Sequence, residues 1–303
     1  MTTTKLLFVH ALSPLHAGTG QSIGAIDLAI ARDRATQFPY LPGSSLKGSL
    51  RDVAEQKHGR ESSVVTQLFG PDTKNASEHA GALIVSDANL LLLPVRSIAG
   101  TFAWVTSPYL LHRFLRDASA ASEKFTLPTL PDKVEGCVIG SKSKLVATDK
   151  GNGKVIFEDL DLEPIRDASA DTFADELGKK LFPGSESTWQ KLFTEKLCIV
   201  HDDVMTFLSE HATDVVARIA LEDDAKTVRK GGLWYEENLP TESILVSLLS
   251  AQLVGKLSEA TPANAMKHAQ ALIESALTES TIQLGGKATV GRGRCRLQLV
   301  GVP

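Results

Sequence analysis

The stretch that most constrains how this chain folds lies at residues 40–51, with the sequence YLPGSSLKGSLR. A Pro-Gly pair ends an extended run, and Ser44 or Ser45 is then the type of residue that caps the start of a helix. Leu46 and Leu50 lie four residues apart, so a helix would turn both toward a core. The stretch therefore predicts an extended segment, a turn and a helix with one core-facing side.

The same helix start has the features of a phosphate site. Lys47 and Arg51 are also four residues apart, so two cations project together from a neighbouring face. The first turn of a helix offers unpaired backbone N–H groups and a positive dipole end, and the hydroxyls of Ser44 and Ser45 add further donors. An ordinary capped surface helix with solvated charges is the alternative. The stretch is not a Walker loop, because serine follows the second glycine.

A glycine-rich segment at residues 285–293 is the second informative stretch. Its glycines lack Cβ atoms, so another backbone or a ligand can approach closely. Basic side chains in and after this segment suit a sugar-phosphate chain. A flexible loop feeding an edge strand, with charges that oppose aggregation, is equally compatible with the pattern. The residues expected to bind a nucleic acid here are Gly285, Gly286, Lys287, Arg292 and Arg294.

Residues 215–240 predict a long hairpin arm, two strands around a charged turn. Trp234 and Tyr235 near its end are of the type that stacks on or wedges between bases, or else pins the arm to the body. Glu236 and Glu237 follow as two acids near a backbone, a pair more typical of a solvated corner. We expect the segment around residues 222–240 to be mobile in the free protein and to become ordered on binding.

Composition bounds the class of protein. The 303 residues are 43% hydrophobic and 22% charged, as in a globular protein with a large core. The net charge of -4 is less basic than that of a protein that binds nucleic acid alone, so RNA contact would use a local cationic strip and partners. Three distant cysteines argue against a disulfide framework and for a reducing compartment. With no apolar run of membrane-spanning length, we expect a cytoplasmic protein without membrane contact.

The secondary-structure pattern interleaves strands and helices without a strict βαβ rhythm, which favours an α+β class. Residues 5–12 predict a buried first strand and residues 294–300 a last one. Residues 244–257 and 265–277 are interpreted as amphipathic helices. The eight histidines show no metal-binding spacing, but His16 lies near Asp27 in a segment rich in glycine.

The order of these pieces resembles the RAMP superfamily of CRISPR proteins over nearly the whole chain. SPLHAG at 13–18, the PGSSLKG helix start with Arg51, and the glycine-rich loop resemble the superfamily's motifs. GAID at 24–27, TSPY at 106–109 and GLWYEENLP at 232–240 are similar to the backbone subunit of the type III-B (Cmr) effector complex.

The resemblance implies a single RAMP domain over residues 1–303. Its fold would be a modified ferredoxin-like (RRM-related) one with palm, fingers and a thumb hairpin at about 215–240. It implies copies stacked head to tail along a CRISPR RNA, a helical filament with the other Cmr subunits. The thumb would wedge between nucleotides, and complementary target RNA would be cut at regular intervals.

The resemblance also assigns site residues. Asp27 would be the catalytic acid of a reaction that depends on Mg²⁺ or another divalent cation. Beyond the resemblance, we expect His16 and Glu236 to assist at the same site. From the residue patterns above, taken with the matched motifs, we expect the guide RNA to contact Ser44, Ser45, Lys47, Arg51, Gly285, Gly286, Lys287, Arg292, Arg294 and Trp234.

Two alternatives stay open on the sequence. The first is a structural RNA-binding subunit without catalysis, against which the acid at Asp27 argues. The second is a repeat-processing ribonuclease that acts alone and without metal on precursor RNA. Cutting of repeat RNA by the isolated protein in EDTA would favour that second alternative.

Overall fold

The computed structural model describes residues 3–20, 24–71, 80–147, 153–184, 186–222, 224, 227–252, 261–278 and 281–300. Its strands are β1 (Thr3–Ala11), β2 (Tyr40–Leu41), β3 (Leu83–Val85), β4 (Ala88–Arg96), β5 (Phe102–Thr106), β6 (Gly136–Ile139), β7 (Val146–Ala147), β8 (Lys154–Phe157), β9 (Leu160–Arg166), β10 (Leu197–Val200), β11 (Asp214–Leu221), β12 (Val228–Asn238), β13 (Ile244–Ala251), β14 (Ile282–Gln283) and β15 (Arg294–Val300). Its helices are α1 (Gly43–His58), α2 (Ser63–Phe69), α3 (Pro108–Ala120), α4 (Ala168–Leu181), α5 (Ser187–Lys196), α6 (Asp202–His211) and α7 (Pro262–Thr278).

One large mixed sheet organises the chain. Within the described residues it contains 13 strands, and its main path runs β14-β15-β1-β13-β4-β5-β10-β6-β9-β8-β7. β1 lies antiparallel between β13 and β15, whereas β10 runs parallel to β5 and β6 parallel to β9. The mixed directions and interleaved helices confirm the predicted α+β class. No helix in the described part of the chain is long and apolar enough to cross a membrane.

Helices cover both faces of the sheet. Because side chains alternate along each strand, one strand contributes residues to the core on each face. Leu7 and Val9 of β1 join one core cluster, which also contains residues of α1, α2, α6 and α7. Leu6 and Phe8 join the other, with residues of α3, α4 and α5. Strands buried on both faces are nearly continuous apolar runs.

Burial on both faces explains why the helix predicted at residues 244–257 is wrong. Residues 244–257 were interpreted as an amphipathic helix, but residues 244–251 form β13 in the middle of the sheet, and residues 253–260 lie outside the described ones. The run ILVSLLSA lacks clear alternation because it packs on both faces, so its period cannot separate strand from helix. The second predicted helix, at 265–277, is confirmed as α7.

The stretch at 40–51 folds as a short strand, a turn and α1, and Leu46 and Leu50 are buried as predicted. The serine cap is wrong: α1 begins at Gly43, and the Gly43 N–H donates to Asp87 Oδ1 at 2.7 Å. A Cβ atom on Gly43 would lie 2.6 Å from the Val85 carbonyl oxygen. The glycine therefore lets the helix start pack against the segment between β3 and β4.

The predicted arm is a separate two-stranded sheet of β11 and β12, with residues 223, 225 and 226 outside the described part. Cross-strand pairs such as Ile219 with Leu233 place apolar side chains on one side of it. We call this side the outer face of the arm. Its large side chains are each 41–54% exposed and comprise Val215, Ile219, Leu221, Val228, Leu233 and Tyr235.

Candidate RNA-binding and cleavage site

Three segments that are far apart in sequence meet at the base of the arm. Backbone bridges join Leu15 to Leu239 and Leu28 to Glu236, and a third joins His16 to Gly286. The N-terminal segment that carries Asp27, the end of β12 and the glycine-rich loop are therefore in direct contact. The structure brings the three residues expected to be catalytic into this one region.

Asp27 is exposed, and its carboxylate is tied to the arm. The Tyr235 N–H donates to Asp27 Oδ2 at 2.8 Å. Beside it, the Leu28 N–H donates to the Tyr235 carbonyl at 3.1 Å and the Glu237 N–H to the Leu28 carbonyl at 3.0 Å. A carboxylate has further lone pairs, so Asp27 keeps acceptor capacity toward solvent while its orientation is set by β12.

His16 is buried, at 6% exposure, and its ring lies against the end of the arm. Its Nδ1 lies 2.7 Å from the Glu237 carbonyl oxygen. A carbonyl only accepts, so Nδ1 carries a proton. The His16 carbonyl accepts from the Gly286 N–H at 2.9 Å, so this residue also links the arm to the glycine-rich loop.

Glu236 is 2% exposed and accepts hydrogen bonds from three side chains. Lys287 Nζ and Trp234 Nε1 each lie 2.8 Å from Oε1, and Arg218 Nε lies 3.4 Å from Oε2. Burial raises the pKa of Glu236, but the hydrogen bonds from Lys287 and Trp234 and the charges of Lys287 and Arg218 outweigh burial and lower this pKa to about 2. The carboxylate is therefore ionised at neutral pH and has no proton to give.

Glu237 points the other way and is equally buried. It pairs with Arg32 at 2.5 Å and accepts from Thr213 Oγ1 at 3.0 Å and from the Ile30 N–H at 3.2 Å. The expected solvated corner is thus wrong for both glutamates. The end of β12 lies between the N-terminal segment and the body, and each carboxylate is buried with its own set of donors.

Lys47 and Arg51 of α1 each bind a partner within the protein. Lys47 Nζ donates to the Leu83 carbonyl at 2.7 Å, and burial, with the charge of Arg51, lowers the pKa of Lys47. Arg51 Nε pairs with Glu55 at 2.8 Å. Ser44 and Ser45 lie exposed at the first turn, so the helix start itself faces solvent.

The glycine-rich loop is built from backbone shapes that side chains rarely adopt. Gly293 has φ +75°, and a Cβ atom there would overlap the Leu284 carbonyl oxygen. Lys287 is also left-handed, at φ 67°, and a short 3-10 helix (Ala288–Val290) follows it. Arg294 is exposed, whereas Arg292 is half-buried and its Nε lies buried.

A groove of about 390 Å³ separates α1 from this loop. Its lining residues are Ser49, Asp52, Val53 and Gln56 on α1, with Thr281, Ile282, Gln283 and Gly285 on the other side. Of the two stretches singled out in the sequence, Ser49 and Gly285 border this groove; the other lining residues lie further along α1 and at β14.

Two aromatic residues of the arm have different surroundings. Trp234 is half-buried, and its Nε1–H is bound to Glu236, so it is fixed at the arm base. Tyr235 is 41% exposed on the outer face. Sequence reasoning overlooked Arg218, although it lies directly opposite Trp234 in the hairpin register. Strand alternation from Trp234 is the signal that would have found it.

Known proteins are similar to this chain over nearly its whole length. The RAMP superfamily matches residues 8–296. The CRISPR system Cmr endoribonuclease Cmr4 of Pyrococcus furiosus is 33% identical over 307 residues, which is 97% of this chain and 95% of that one. The crystal structure of oligomeric Cmr4 from Pyrococcus furiosus has a TM-score of 0.72 and 28% identity, covering 99% of this chain and 98% of that one.

A chain of the Type III-B Cmr-beta structure bound to cognate target RNA has the same fold. Its TM-score is 0.70 at 21% identity, covering 98% of this chain and 96% of that one. The chain described here therefore belongs to the RAMP superfamily, in its Cmr4 branch.

Proposed function

We propose that this protein is a backbone subunit of a type III-B Cmr effector complex. It binds a CRISPR RNA and cleaves complementary target RNA, with Asp27 as the cleavage acid. The observation that carries the proposal is the bond from the Tyr235 N–H to Asp27 Oδ2, which sets an exposed carboxylate at the meeting point of arm and loop. The Pyrococcus furiosus relative is named as a Cmr endoribonuclease, which supports the same activity.

The guide RNA would follow the groove between α1 and the glycine-rich loop. The exposed hydroxyls of Ser44 and Ser45 offer donors to phosphate at the helix start. Arg292 in the glycine-rich loop and Arg294 directly after it supply positive charge near this region of the chain. Lys47 and Arg51 would join the RNA contact by giving up their bonds to the Leu83 carbonyl and Glu55.

Copies of the subunit would stack along the guide. Each copy contacts a few phosphates, so affinity accumulates along the row even though the chain has a net charge of -4. Exposed apolar patches mark interaction surfaces, and the outer face of the arm is such a patch. We assign this face to the wedge between nucleotides and to contact with the next copy. A relative of this fold is described as oligomeric, in agreement with stacking.

Cleavage would use the 2′-hydroxyl of the target RNA as the nucleophile. O2′ gives its proton to solvent and bonds to the adjacent phosphorus, while the bond from phosphorus to the 5′ oxygen of the next nucleotide breaks and that oxygen takes a proton from solvent. The chain contributes positioning: a nucleotide turned out by the arm places its 2′-hydroxyl in line with the leaving oxygen. Asp27, whose carboxylate is hydrogen-bonded to the Tyr235 N–H of β12, then lies beside the reacting phosphate.

The donors at Asp27 fit a divalent cation shared with the substrate. Mg²⁺ is commonly held by one or two carboxylates together with water and substrate phosphates, and exposed Asp27 offers one carboxylate. In the described ranges no group of three His, Cys, Asp or Glu side chains is arranged to hold a metal. Asp27 would therefore hold the ion only with RNA present, and the bound ion would neutralise charge on the phosphate oxygens.

The test is Asp27→Asn in a reconstituted complex. We expect normal assembly and normal affinity for complementary RNA, with a cleavage rate lower by orders of magnitude. Asp203→Asn is the matched control, since that acid is 77% exposed on α6 and its carboxylate lies against His201. Target cutting at a near wild-type rate by Asp27→Asn would refute the assignment and leave a scaffold role or another acid.

A further inference from the structure

Glu236 has a chemical arrangement that the cleavage reaction as described does not use. Its buried carboxylate accepts from Lys287 of the glycine-rich loop, from Trp234 of the same strand and from Arg218 of the opposite strand. One side chain thus ties both strands of the arm to the loop proposed to contact the guide. Charge-assisted hydrogen bonds of this kind are about twice as strong as neutral ones.

The backbone next to Glu236 also holds Asp27, the proposed cleavage acid. Leu28, the residue after Asp27, pairs with Glu236 in a parallel bridge. The residue before Glu236 gives its N–H to Asp27 Oδ2. A shift of the loop against the arm base would therefore move the amide that orients Asp27.

We propose that Glu236 is a positioning residue that fixes Asp27 relative to the glycine-rich loop, and so links guide contact to cleavage. The proposal rests on the proposed role of Asp27. In this role Glu236 transfers no proton: the ion pairs to Lys287 and Arg218 keep the arm base, Asp27 and the loop in one rigid arrangement. Small misplacement of a reacting group costs a large factor in rate, which is why such a link matters.

Geometry separates this role from that of a general acid or base. Both carboxylate oxygens of Glu236 are occupied by donors, and the side chain is 3% exposed. A group that exchanges protons with RNA must reach it within hydrogen-bond distance, directly or through one water. Asp27, by contrast, is exposed.

The test uses Glu236→Gln in the reconstituted complex. Glutamine keeps the shape of the side chain but removes the charge that Lys287 and Arg218 face. At saturating target RNA we expect a single-turnover rate 10- to 100-fold lower, with target affinity within about twofold of wild type. The shape of the pH–rate profile between pH 5 and 9 should not change. The matched control is Glu222→Gln, an exposed acid on the same arm.

A second variant approaches the link from its other end. Lys287→Met should lower the rate at full guide occupancy, whereas Lys287→Arg should restore most of it. The double variant with Glu236→Gln should be no slower than the slower single one, since both remove the same link. If Glu236→Gln does not assemble, this lysine pair still decides the question.

Three results would overturn the proposal. They are a rate within twofold of wild type for Glu236→Gln, loss of an inflection from its pH–rate profile, and additive effects of the two single variants. A failure of the Asp27 assignment has a separate signature, because Asp27→Asn would then cut normally whatever the Glu236 variants do.

Discussion

The buried carboxylate of Glu236 makes the stability of the free subunit depend on pH. Burial raises the pKa of Glu236, but the hydrogen bonds of Lys287 and Trp234 and the nearby cations lower it to about 2 from the ordinary 4.5. A depressed pKa in the folded state contributes stability above the unfolded value, and this contribution is lost as the pH falls from about 4.5 toward 2.

The size of this contribution follows from the shift. The full shift corresponds to about 3 kcal/mol at neutral pH. The partner side chains Lys287 and Arg218 are 31% and 32% exposed, so solvent screens part of the interaction and about 2 kcal/mol is the better figure. About 1 kcal/mol of it should be gone by pH 4.

Urea unfolding of the isolated subunit at pH 7 and pH 4 measures the effect. Other carboxylates titrate in both proteins, so their contribution cancels when Glu236→Gln is compared with wild type. We expect the variant to lose about 1 kcal/mol less than wild type on going to pH 4. Identical losses in the two proteins would refute the electrostatic account of the arm base.

Three further predictions test other parts of the structure. Changing Lys47 and Arg51 to Glu should weaken guide binding. The slope of log binding constant against log salt concentration should become shallower by about 1.4, since each single-strand phosphate contact adds about 0.7. An unchanged slope in the folded variant would refute the assignment of these two side chains to phosphate contacts. Arg32→Met leaves the Glu237 charge buried without its partner and should cost about 3–5 kcal/mol in urea unfolding, so a cost below about 1 kcal/mol would contradict the pairing. Amide exchange at residues 228–233, away from the arm base, should be fast in the free subunit and slow in the RNA complex, and strong protection there in the free subunit would count against a mobile arm.

Local signals in the sequence predicted much of the architecture. The turn and helix at 40–51 and the last helix were predicted correctly because their apolar spacing and their turn-forming residues match the structure they adopt. The serine cap failed because Asp87, distant in sequence, binds the first helical N–H instead. The helix predicted at residues 244–257 is wrong because β13, the strand found there, is buried on both faces and has no clear hydrophobic period.

The candidate site depended on contacts that no local pattern contains. Asp27 and Tyr235 are 208 positions apart, so their hydrogen bond could not be predicted from spacing. The glutamates after Tyr235 were interpreted as solvated because two adjacent acids usually lie at the surface. Their donors come from the N-terminal segment, the opposite strand and the glycine-rich loop, which only the folded chain brings together.

The most direct test of the central claim is a mixing experiment with Asp27→Asn. Complexes are assembled from wild-type and variant subunits in known ratios, and cuts per bound target RNA are counted. If every subunit supplies its own cleavage acid, the number of cuts falls in proportion to the variant fraction, while target affinity stays constant. An undiminished number of cuts at high variant fraction would contradict the assignment of cleavage to Asp27.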